Sequence, residues 1–389
     1  MGMYEFDRLL PRKGTDCNKW DAMGRDYGDP DLIPLWVADM DFPVLPALEK
    51  ALVARVENST FGYTFAGEEF YKSLIGWNAR RNGFHFIEEE VLNVPGVVCG
   101  LSFALTALSA PGDKVLITPP VYPPFSHVVK DLERQLVVSP LVLRNGRFEM
   151  DFADFEARLK EGVKVFIFCT PHNPVGRVWS KEELEKVAEL CSRYNVVVLS
   201  DEIHSDLVFP GHKHIPFATV SPWAEQMTVT TLAPSKTFNV AGLKASMLVV
   251  KNPEIRGKIK KLLDQYHVGV NLFGFKAAEV AYREGEKWVE ELLAYLEENA
   301  RFTVDFLKQH LPRVGAYVPE STYLMWLNFS AYGLDQPALM KKLKEEARVA
   351  LNDGTTFGEE GKGHVRLNIG TPRSLLQQGL EKIAAAFGK

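Results

Sequence analysis

Apolar residues recur along the chain in two alternating patterns. Short continuous runs rich in valine and isoleucine are typical of strands buried on both faces, whereas apolar positions three or four residues apart are typical of helices. The predicted strands lie at 90–94, 114–118, 137–143, 165–169, 196–200, 227–232 and 246–250. The predicted helices between and before them lie at 46–56, 68–81, 101–110, 152–159 and 181–194. This alternation predicts an α/β domain built on a doubly wound, mostly parallel sheet.

The pattern changes near residue 288. Apolar positions from Trp288 to Leu307 follow helical spacing and predict one long amphipathic helix, ending near Leu311, that joins two domains. Strands at 323–329 and 365–369 and helices near 336–347 and from 373 follow it. We therefore expect a large domain over residues 46–287 and a smaller α+β domain over 288–389. Residues 1–45 are rich in Asp, Gly and Pro and are predicted to form an arm that also contributes to the small domain.

Composition narrows the class of protein. The 389 residues include 46% hydrophobic and 24% charged residues, as in an ordinary globular protein, and the net charge of −5 gives no attraction to nucleic acid or anionic membrane. Four cysteines without paired spacing argue against a disulfide framework or zinc site and favour a reducing cytoplasm. The N-terminus lacks a signal-peptide core, and the most apolar stretch, 97–110, is too short to span a bilayer. We expect a cytoplasmic protein without a metal.

Three polar residues follow buried strands. Asn173 comes after the strand at 165–169, Asp201 after 196–200, and Lys236 after 227–232. Ligands of an open α/β sheet bind beyond the carboxyl ends of its strands, so we expect these side chains along one edge. Lys236 lies in an uncharged, half-apolar stretch, where a desolvated ammonium loses its proton readily and becomes a nucleophile toward aldehydes. An unreactive lysine in a loop would also fit this position.

That set of residues matches the needs of a pyridine coenzyme with an aldehyde. A lysine forms the imine, a buried acid keeps the ring nitrogen protonated, and an amide binds the phenolic oxygen. The strand–glycine turn–helix sequence at 90–110 offers the unpaired first amides of a helix to a phosphate. The stiff proline loop 119–124 holds one tyrosine, Tyr122, which suits a ring-stacking platform but is also typical of an exposed loop.

Five motifs, in order along the chain, carry a resemblance to a known family. The segments at 36–42, 61–64, 201–206, 235–239 and 365–370 resemble those of the fold-type I pyridoxal-phosphate enzymes of aminotransferase class I and II, and among them the cystathionine β-lyase (C–S lyase) branch. The likeness covers essentially the whole chain. It implies the PLP-dependent transferase fold type I, pyridoxal 5′-phosphate as cofactor, a small amino-acid substrate and a homodimer.

The resemblance also implies catalytic roles. Lys236 would form the imine and, once displaced by substrate, remove the α-proton. Asp201 would keep the ring nitrogen protonated, Asn173 would donate to the phenolic oxygen, and Tyr122 would stack on the ring. His204 would be a second donor near that oxygen or a bracing contact, and a satisfied histidine beneath the ring is equally compatible with its position.

Further residues are implied for phosphate and substrate. The phosphate anchors are the backbone at Val98, Cys99 and Gly100, the Ser235 hydroxyl and the Lys244 charge. Lys244 stands where many relatives place an arginine, so it keeps the charge but loses the planar fork. Tyr63 would reach the phosphate and substrate in the neighbouring subunit; taken alone, it suggests a packing aromatic.

Arg366 is the candidate for the substrate α-carboxylate, assisted by the Ala38 backbone and Asn173. A guanidinium in an apolar strand needs an anion, and an internal salt bridge is the alternative. The pair His212 and His214 lacks an evident third metal ligand. Asp39 and Asp41 are expected to be solvated or capping acids.

Two reactions remain open from the sequence. Both proceed through imine exchange and removal of the α-proton to a quinonoid; a β-lyase then expels a group from Cβ, giving pyruvate, ammonia and a thiol. The motifs at 36–42 and 61–64, together with His204, favour a C–S lyase acting on cystathionine, cysteine or related S-substituted cysteines. An aminotransferase is the alternative. A regulatory or binding protein is a third, disfavoured because no DNA-binding region precedes residue 1 and the basic surface signal is missing.

Overall fold

Strands and helices alternate along the described residues, 2–388. In this computed structural model the strands are β1 (Ile33–Pro34), β2 (Val91–Val94), β3 (Lys114–Ile117), β4 (Gln135–Val138), β5 (Leu141–Arg144), β6 (Arg147–Met150), β7 (Val163–Cys169), β8 (Val197–Asp201), β9 (Thr228–Leu232), β10 (Ser246–Val249), β11 (Leu324–Asn328), β12 (Val349–Ala350), β13 (Asn352–Asp353) and β14 (His364–Asn368). The helices are α1 (Asn18–Asp21), α2 (Met23–Tyr27), α3 (Pro46–Glu57), α4 (Glu68–Asn82), α5 (Val97–Leu108), α6 (Pro124–Asp131), α7 (Phe152–Leu159), α8 (Lys181–Arg193), α9 (Pro222–Met227), α10 (Pro234–Thr237), α11 (Pro253–Gln265), α12 (Leu272–Glu284), α13 (Glu286–His310), α14 (Gln336–Glu345) and α15 (Arg373–Phe387).

A seven-stranded sheet forms the centre of the molecule, in the order β2-β10-β9-β8-β7-β3-β4. The five strands from β9 to β4 are parallel. β10 pairs antiparallel with both β9 and β2, so it runs opposite to the other six strands of this sheet. Helices cover both faces: Val165 and Ile167 of β7 share a core with α5 and α11, while Phe166 and Phe168 share one with α7 and α8. Burial on both faces explains why β7 is a continuous apolar run. The predicted α/β fold with a doubly wound, mostly parallel sheet is confirmed.

The predicted strand at 137–143 was wrong, because the chain is interrupted there. β4 ends at Val138, and β5 pairs with β6 in a separate two-stranded sheet. Pro140 lies between the two strands and cannot donate a backbone hydrogen bond to a ladder. The sheet edge therefore ends at β4.

A smaller sheet of β11, β14 and β13 follows the long helix α13. The apolar side of α13 packs in one core with this sheet and with α15, as its helical spacing predicted. Strand β1 of the arm pairs with β12 in parallel, which ties the arm to the C-terminal part of the chain. The domain limits at residues 45 and 287 stay a prediction. Within residues 2–388, no helix combines the length and the apolar character needed to cross a membrane.

An ion pair is buried in the arm. Lys19 Nζ lies 2.7 Å from Asp41 Oδ2, and neither side chain is exposed. Trp20 Nε1 and Arg12 Nη1 donate to Asp41 Oδ1, at 2.9 and 2.7 Å. Burial alone would raise the pKa of Asp41, but the cations Lys19 and Arg12 outweigh it and hold this pKa below its usual range. The expectation that Asp41 is a solvated or capping acid was therefore wrong.

We expect Lys19→Met to lower the free energy of unfolding by about 3 kcal/mol, because it leaves the Asp41 carboxylate buried without its closest cation. Urea denaturation measures this change. Lys13→Met is the matched control, since the Lys13–Asp31 pair is exposed and such pairs contribute little.

The contribution of the Lys19–Asp41 pair depends on pH, because the pKa of Asp41 is lower in the folded protein than in the unfolded chain. The pair stabilises the fold fully at pH values above the pKa of the unfolded chain, and this stabilisation is lost as the pH falls through the pKa of the folded protein. The deficit of Lys19→Met should therefore shrink as the pH falls through the folded pKa. Equal urea midpoints for the two variants would contradict the expectation.

Candidate active site

A cavity of about 250 Å³ lies beyond the carboxyl ends of β7, β8 and β9. The structure brings most of the predicted site residues together there. The predicted residues that line it are Ala38, Val98, Cys99, Tyr122, Asn173, Asp201, His204, Ser235, Lys236 and Lys244. Arg366 reaches this group through Asn173, whereas Gly100 and Tyr63 do not line the cavity.

Lys236 lies in the one-turn helix α10, directly after β9. Its Nζ donates a hydrogen bond of 2.6 Å to the Ala38 carbonyl. Burial, with the nearby Arg366 charge as a second cause, lowers the pKa of Lys236 from 10.5 to about 8. The amine therefore deprotonates far more readily than an exposed lysine, as its apolar sequence context predicted.

Asp201 ends β8 and is buried. Its Oδ1 accepts from Thr231 Oγ1 at 3.0 Å and from the Ile203 amide at 3.2 Å. These donors favour the carboxylate, yet burial dominates and raises the pKa of Asp201 to about 6. Within residues 2–388, no Lys, Arg or His nitrogen lies within 4 Å of this carboxylate. A cationic ring nitrogen would supply the charge that this buried acid lacks.

Arg366 is buried in β14 and bonds only to neutral oxygens. Its Nη1 donates to Asn173 Oδ1 at 3.1 Å, and its Nη2 donates to Asn352 Oδ1 and the Trp36 carbonyl, at 2.7 and 3.2 Å. Its Nε has no partner, and burial lowers the pKa of Arg366 to about 10. Among the described residues there is no carboxylate within 4 Å of this guanidinium, so the alternative of an internal salt bridge is not realised. Arg366 is thus free to bind an anionic ligand.

The other end of the cavity is formed by the start of α5. This helix begins at Val97, earlier than the predicted residue 101, so Val98 and Cys99 lie in its first turn and line the cavity. Gly100 instead packs against β10, because a Cβ there would lie 2.8 Å from a Leu248 side-chain atom. The unpaired amides of the first turn, with Ser235 and Lys244 nearby, can hold a phosphate group.

His204 has an unsatisfied ring. Its Nδ1 is buried without a hydrogen-bond partner, so the interpretation of a fully satisfied histidine does not hold for this atom. Burial lowers the pKa of His204 to about 3, so the ring is neutral near pH 7. A neutral imidazole beside the cavity can donate to, or accept from, a ligand group.

Ala38 contributes its carbonyl to this site. The oxygen accepts from Lys236 Nζ at 2.6 Å and from Tyr323 Oη at 3.0 Å. A carbonyl oxygen cannot donate to a carboxylate, so of its backbone groups only the Ala38 amide could assist Arg366.

Several residues that hold the site were missed from the sequence. Tyr323 and Asn352 bond to Ala38 and Arg366 across long sequence separations, and no local pattern marks them. Thr237 could have been identified from the sequence, because it lies next to Lys236 in the motif at 235–239. Its Oγ1 donates at 3.0 Å to the buried Asp206, which ties the lysine segment to the loop after Asp201.

These residues fit pyridoxal 5′-phosphate. The orphaned His204 nitrogen, the buried acid without a cation, the helix start and the low-pKa lysine offer one group for each polar part of that molecule. Lys236 could bond to the aldehyde, Asp201 could face the ring nitrogen, and Asn173 or His204 the phenolic oxygen.

We expect the coenzyme-free protein to be methylated at Lys236 by formaldehyde and a borane with a half-maximal rate near pH 8, because only the neutral amine reacts. Peptide mass spectrometry measures the rate, and the exposed Lys308 provides an internal control for reagent. Arg366→Met should move the midpoint upward, since the Arg366 charge also lowers the pKa of Lys236. A midpoint near the ordinary lysine value of 10.5 would contradict burial as the cause.

Comparisons with known proteins agree with this geometry. The profile of the family described as aminotransferase class I and II matches residues 30–383. Cystathionine beta-lyase PatB of Bacillus subtilis is 43% identical over 98% of this chain and 99% of its own length. A PLP-bound putative aminotransferase from Clostridium difficile 630 superposes with a TM-score of 0.97 at 40% identity, over 99% of this chain and 100% of that chain. The PLP-bound C-S lyase from Staphylococcus hominis gives 0.93 at 33% identity, over 99% and 98%.

The family prediction made from the five motifs is therefore confirmed. The match covers nearly all of the described residues and includes every segment that lines the cavity. This chain belongs to the aminotransferase class I and II family.

Proposed function

We propose that this chain is a pyridoxal-phosphate-dependent carbon–sulfur β-lyase that converts cystathionine, cysteine or related S-substituted cysteines to pyruvate, ammonia and a thiol. The observation that carries the proposal is one cavity in which the low-pKa Lys236 stands with Asp201, next to a guanidinium that has no carboxylate partner among the described residues. The choice of lyase is supported by 43% identity to a protein named cystathionine beta-lyase.

The cofactor would be held by most of the residues assigned from the sequence. They are Lys236, Asp201, Asn173, His204, Tyr122, Ser235, Lys244 and the backbone of Val98 and Cys99. Gly100 is not among them, because its amide donates to the Gly96 carbonyl at 2.9 Å. When bound, the cofactor supplies a cationic ring that withdraws electrons from the substrate Cα. Arg366 would bind the substrate carboxylate through its free guanidinium face.

Lys236 would move the protons of the reaction. Its amine is positioned by the Ala38 carbonyl and, with a pKa of about 8, can accept the proton from the substrate Cα near neutral pH. Loss of this proton lets the Cβ–S bond break, with the bonding electron pair leaving on sulfur. The ammonium formed on Lys236 can then protonate the thiolate, which restores the neutral amine.

An aminotransferase is the second candidate. The name of the structural relative from Clostridium difficile favours it, and removal of the Cα proton by Lys236 would serve either reaction. The two reactions diverge after this proton transfer, since a transaminase needs a keto-acid acceptor and a lyase does not. The cytoplasmic location inferred from the sequence stays a prediction.

We expect the purified holoenzyme to produce pyruvate from cystathionine without any keto-acid acceptor, and a lactate dehydrogenase-coupled assay measures it. Lys236→Ala should abolish both this turnover and the visible absorption of the bound cofactor, because it removes the buried amine of lowered pKa that lines the cavity. Lys308→Met, on the exposed side of α13, is the control. Turnover that depends on an acceptor, with negligible pyruvate, would instead establish the aminotransferase.

We also propose that the active unit is a homodimer. The loop before α4 exposes the aromatic side chains of Phe61, Tyr63 and Phe65, with Tyr63 fully exposed. Exposed apolar clusters of this kind mark protein contacts. A second cavity of about 800 Å³ adjoins Lys236 and Lys244 on the side of the arm, which leaves room for an aromatic group from a second copy. Tyr63 of one subunit would then complete the phosphate and substrate site of the other.

Mixing two inactive variants tests this arrangement. In a dimer of Lys236→Ala with Tyr63→Ala, one site contains both substitutions and the other contains neither. Random reassociation should therefore restore about a quarter of the wild-type activity, from half the dimers with one intact site each. Mixing Lys236→Ala with Asp201→Ala is the control, because both residues come from the same subunit and no intact site can form. Absence of restored activity after proven subunit exchange would rule out a shared site.

A further inference from the structure

Another cavity adjoins the active site at the same edge of the sheet, and we call it the outer cavity. It measures about 500 Å³ and lies beyond the carboxyl ends of β3 and β4, where Ile117 and Val138 contribute to its lining. Tyr122 lines both this cavity and the one that contains Lys236. Because parallel strands place ligands beyond their carboxyl ends, this position is one where a substrate can extend.

Side chains of opposite charge line the outer cavity. Lys130 lies on α6, as does the imidazole of His127, and Glu359 and Glu360 lie in the loop 354–361. Within residues 2–388, neither Lys130 nor Glu360 takes part in an ion pair, whereas Glu359 is paired with Lys362. The cavity thus offers an unpaired cation and an unpaired anion to a ligand that carries both charges.

The loop that carries the acids is held next to the reacting centre. The Phe357 carbonyl accepts from the Val121 amide at 2.9 Å, and the Arg366 guanidinium lies 5.0 Å from the centre of the Phe357 ring. Gly358 has a φ of 131° and passes so close to Pro119 that a Cβ would lie 2.8 Å from a Pro119 side-chain atom. These contacts fix the loop 354–361 to the rest of the structure. Through Phe357, the loop contacts both Arg366 and the segment next to Tyr122.

The size of the cavity around Lys236 favours a separate subsite for the distal part of a large substrate. The cavity around Lys236, of about 250 Å³, is smaller than the roughly 300–1,000 Å³ typical of small-molecule sites. It must already hold the cofactor and the amino-acid part that is bound by Arg366. A substituent on the substrate sulfur therefore has to extend beyond this space. Two cavities adjoin it: the one beside the arm is assigned above to Tyr63 of the second subunit, which leaves the outer cavity, bordered by Tyr122, for the substituent.

We propose that the outer cavity is the subsite for the part of the substrate beyond the sulfur atom, and that it selects substituents with their own ammonium and carboxylate. The second amino-acid group of cystathionine has this chemistry. Its carboxylate would face Lys130 and His127, and its ammonium would face Glu360. This assignment rests on the proposed lyase function, and it names which sulfur substrates the same site prefers.

Substrate pairs test the subsite in the holoenzyme. The variants Lys130→Met and Glu360→Gln are assayed with L-cystathionine and with S-methyl-L-cysteine, whose sulfur substituent is uncharged. We expect the ratio of kcat/KM for cystathionine to kcat/KM for S-methylcysteine to fall about fivefold in each variant, the order expected for one partly exposed charge contact. The change should lie mainly in KM. Lys308→Met should leave the ratio unchanged, and melting temperatures verify that each variant is folded.

The outcomes separate the subsite from the proposed function. A ratio that stays at the wild-type value in both variants, or rates that fall equally for both substrates, would overturn the subsite while leaving the lyase in place. Lys130→Glu provides a second measure, because reversal of the charge should lower the ratio further than its removal. Failure of the wild-type enzyme to release pyruvate from either substrate would overturn the proposed function itself.

Discussion

Withdrawal of the Lys236 amine from water is the physical constraint on which the rest of the site depends. The amine lies against the Ala38 carbonyl, so its position requires the loop 36–42 to stay in place over the end of β9. That loop is held by side-chain amides: Asn239 bonds to the backbone of Met40 and Phe42, and Asn368 bonds to the carbonyls of Val37 and Asp39. Without these contacts, water would reach the amine and its pKa would return toward the ordinary value.

Charged residues of the arm also hold the loop 36–42 in place. Lys19 and Arg12 each contact Asp41, and Arg12 also donates to the Met40 carbonyl and to Asp39. Each buried charge therefore has a partner in the loop, which offsets the cost of desolvation. A stretch without periodicity in the sequence thus becomes part of the active site through its ion pairs. The consequence is an Ala38 carbonyl held 2.6 Å from the Lys236 amine.

Most of the fold and most of the cavity could be predicted from the sequence, because both depend on local patterns. Continuous apolar runs predicted β7 and β8, and the polar residues after them, Asn173 and Asp201, line the cavity together. The sequence could not predict the partners of Arg366, since Asn352 meets it only through the pairing of β13 with β14. It also placed Asp41 at the surface, because a carboxylate is usually exposed and the cations that pair with it, Lys19 and Arg12, lie 22 and 29 residues away. A periodic pattern predicts helices and strands, but it does not predict which residues of separate segments contact one another.

The choice between elimination and amino transfer depends more on the space around Lys236 and Arg366 than on these two residues themselves. The roles proposed for Lys236 in removing the Cα proton and for Arg366 in holding the carboxylate would serve both elimination and amino transfer, so neither residue distinguishes the two reactions. A transaminase must bind an amino acid and then a keto acid in the same place, and it releases each carbon skeleton intact. A lyase must release a thiol while the remaining three-carbon unit is still held. The cavity beyond Tyr122 would meet this second need, because it adjoins the site on the side of β3 and β4, whereas Arg366 extends from β14. In the proposed lyase, a thiol would then leave along the sheet edge while Arg366 still held the carboxylate.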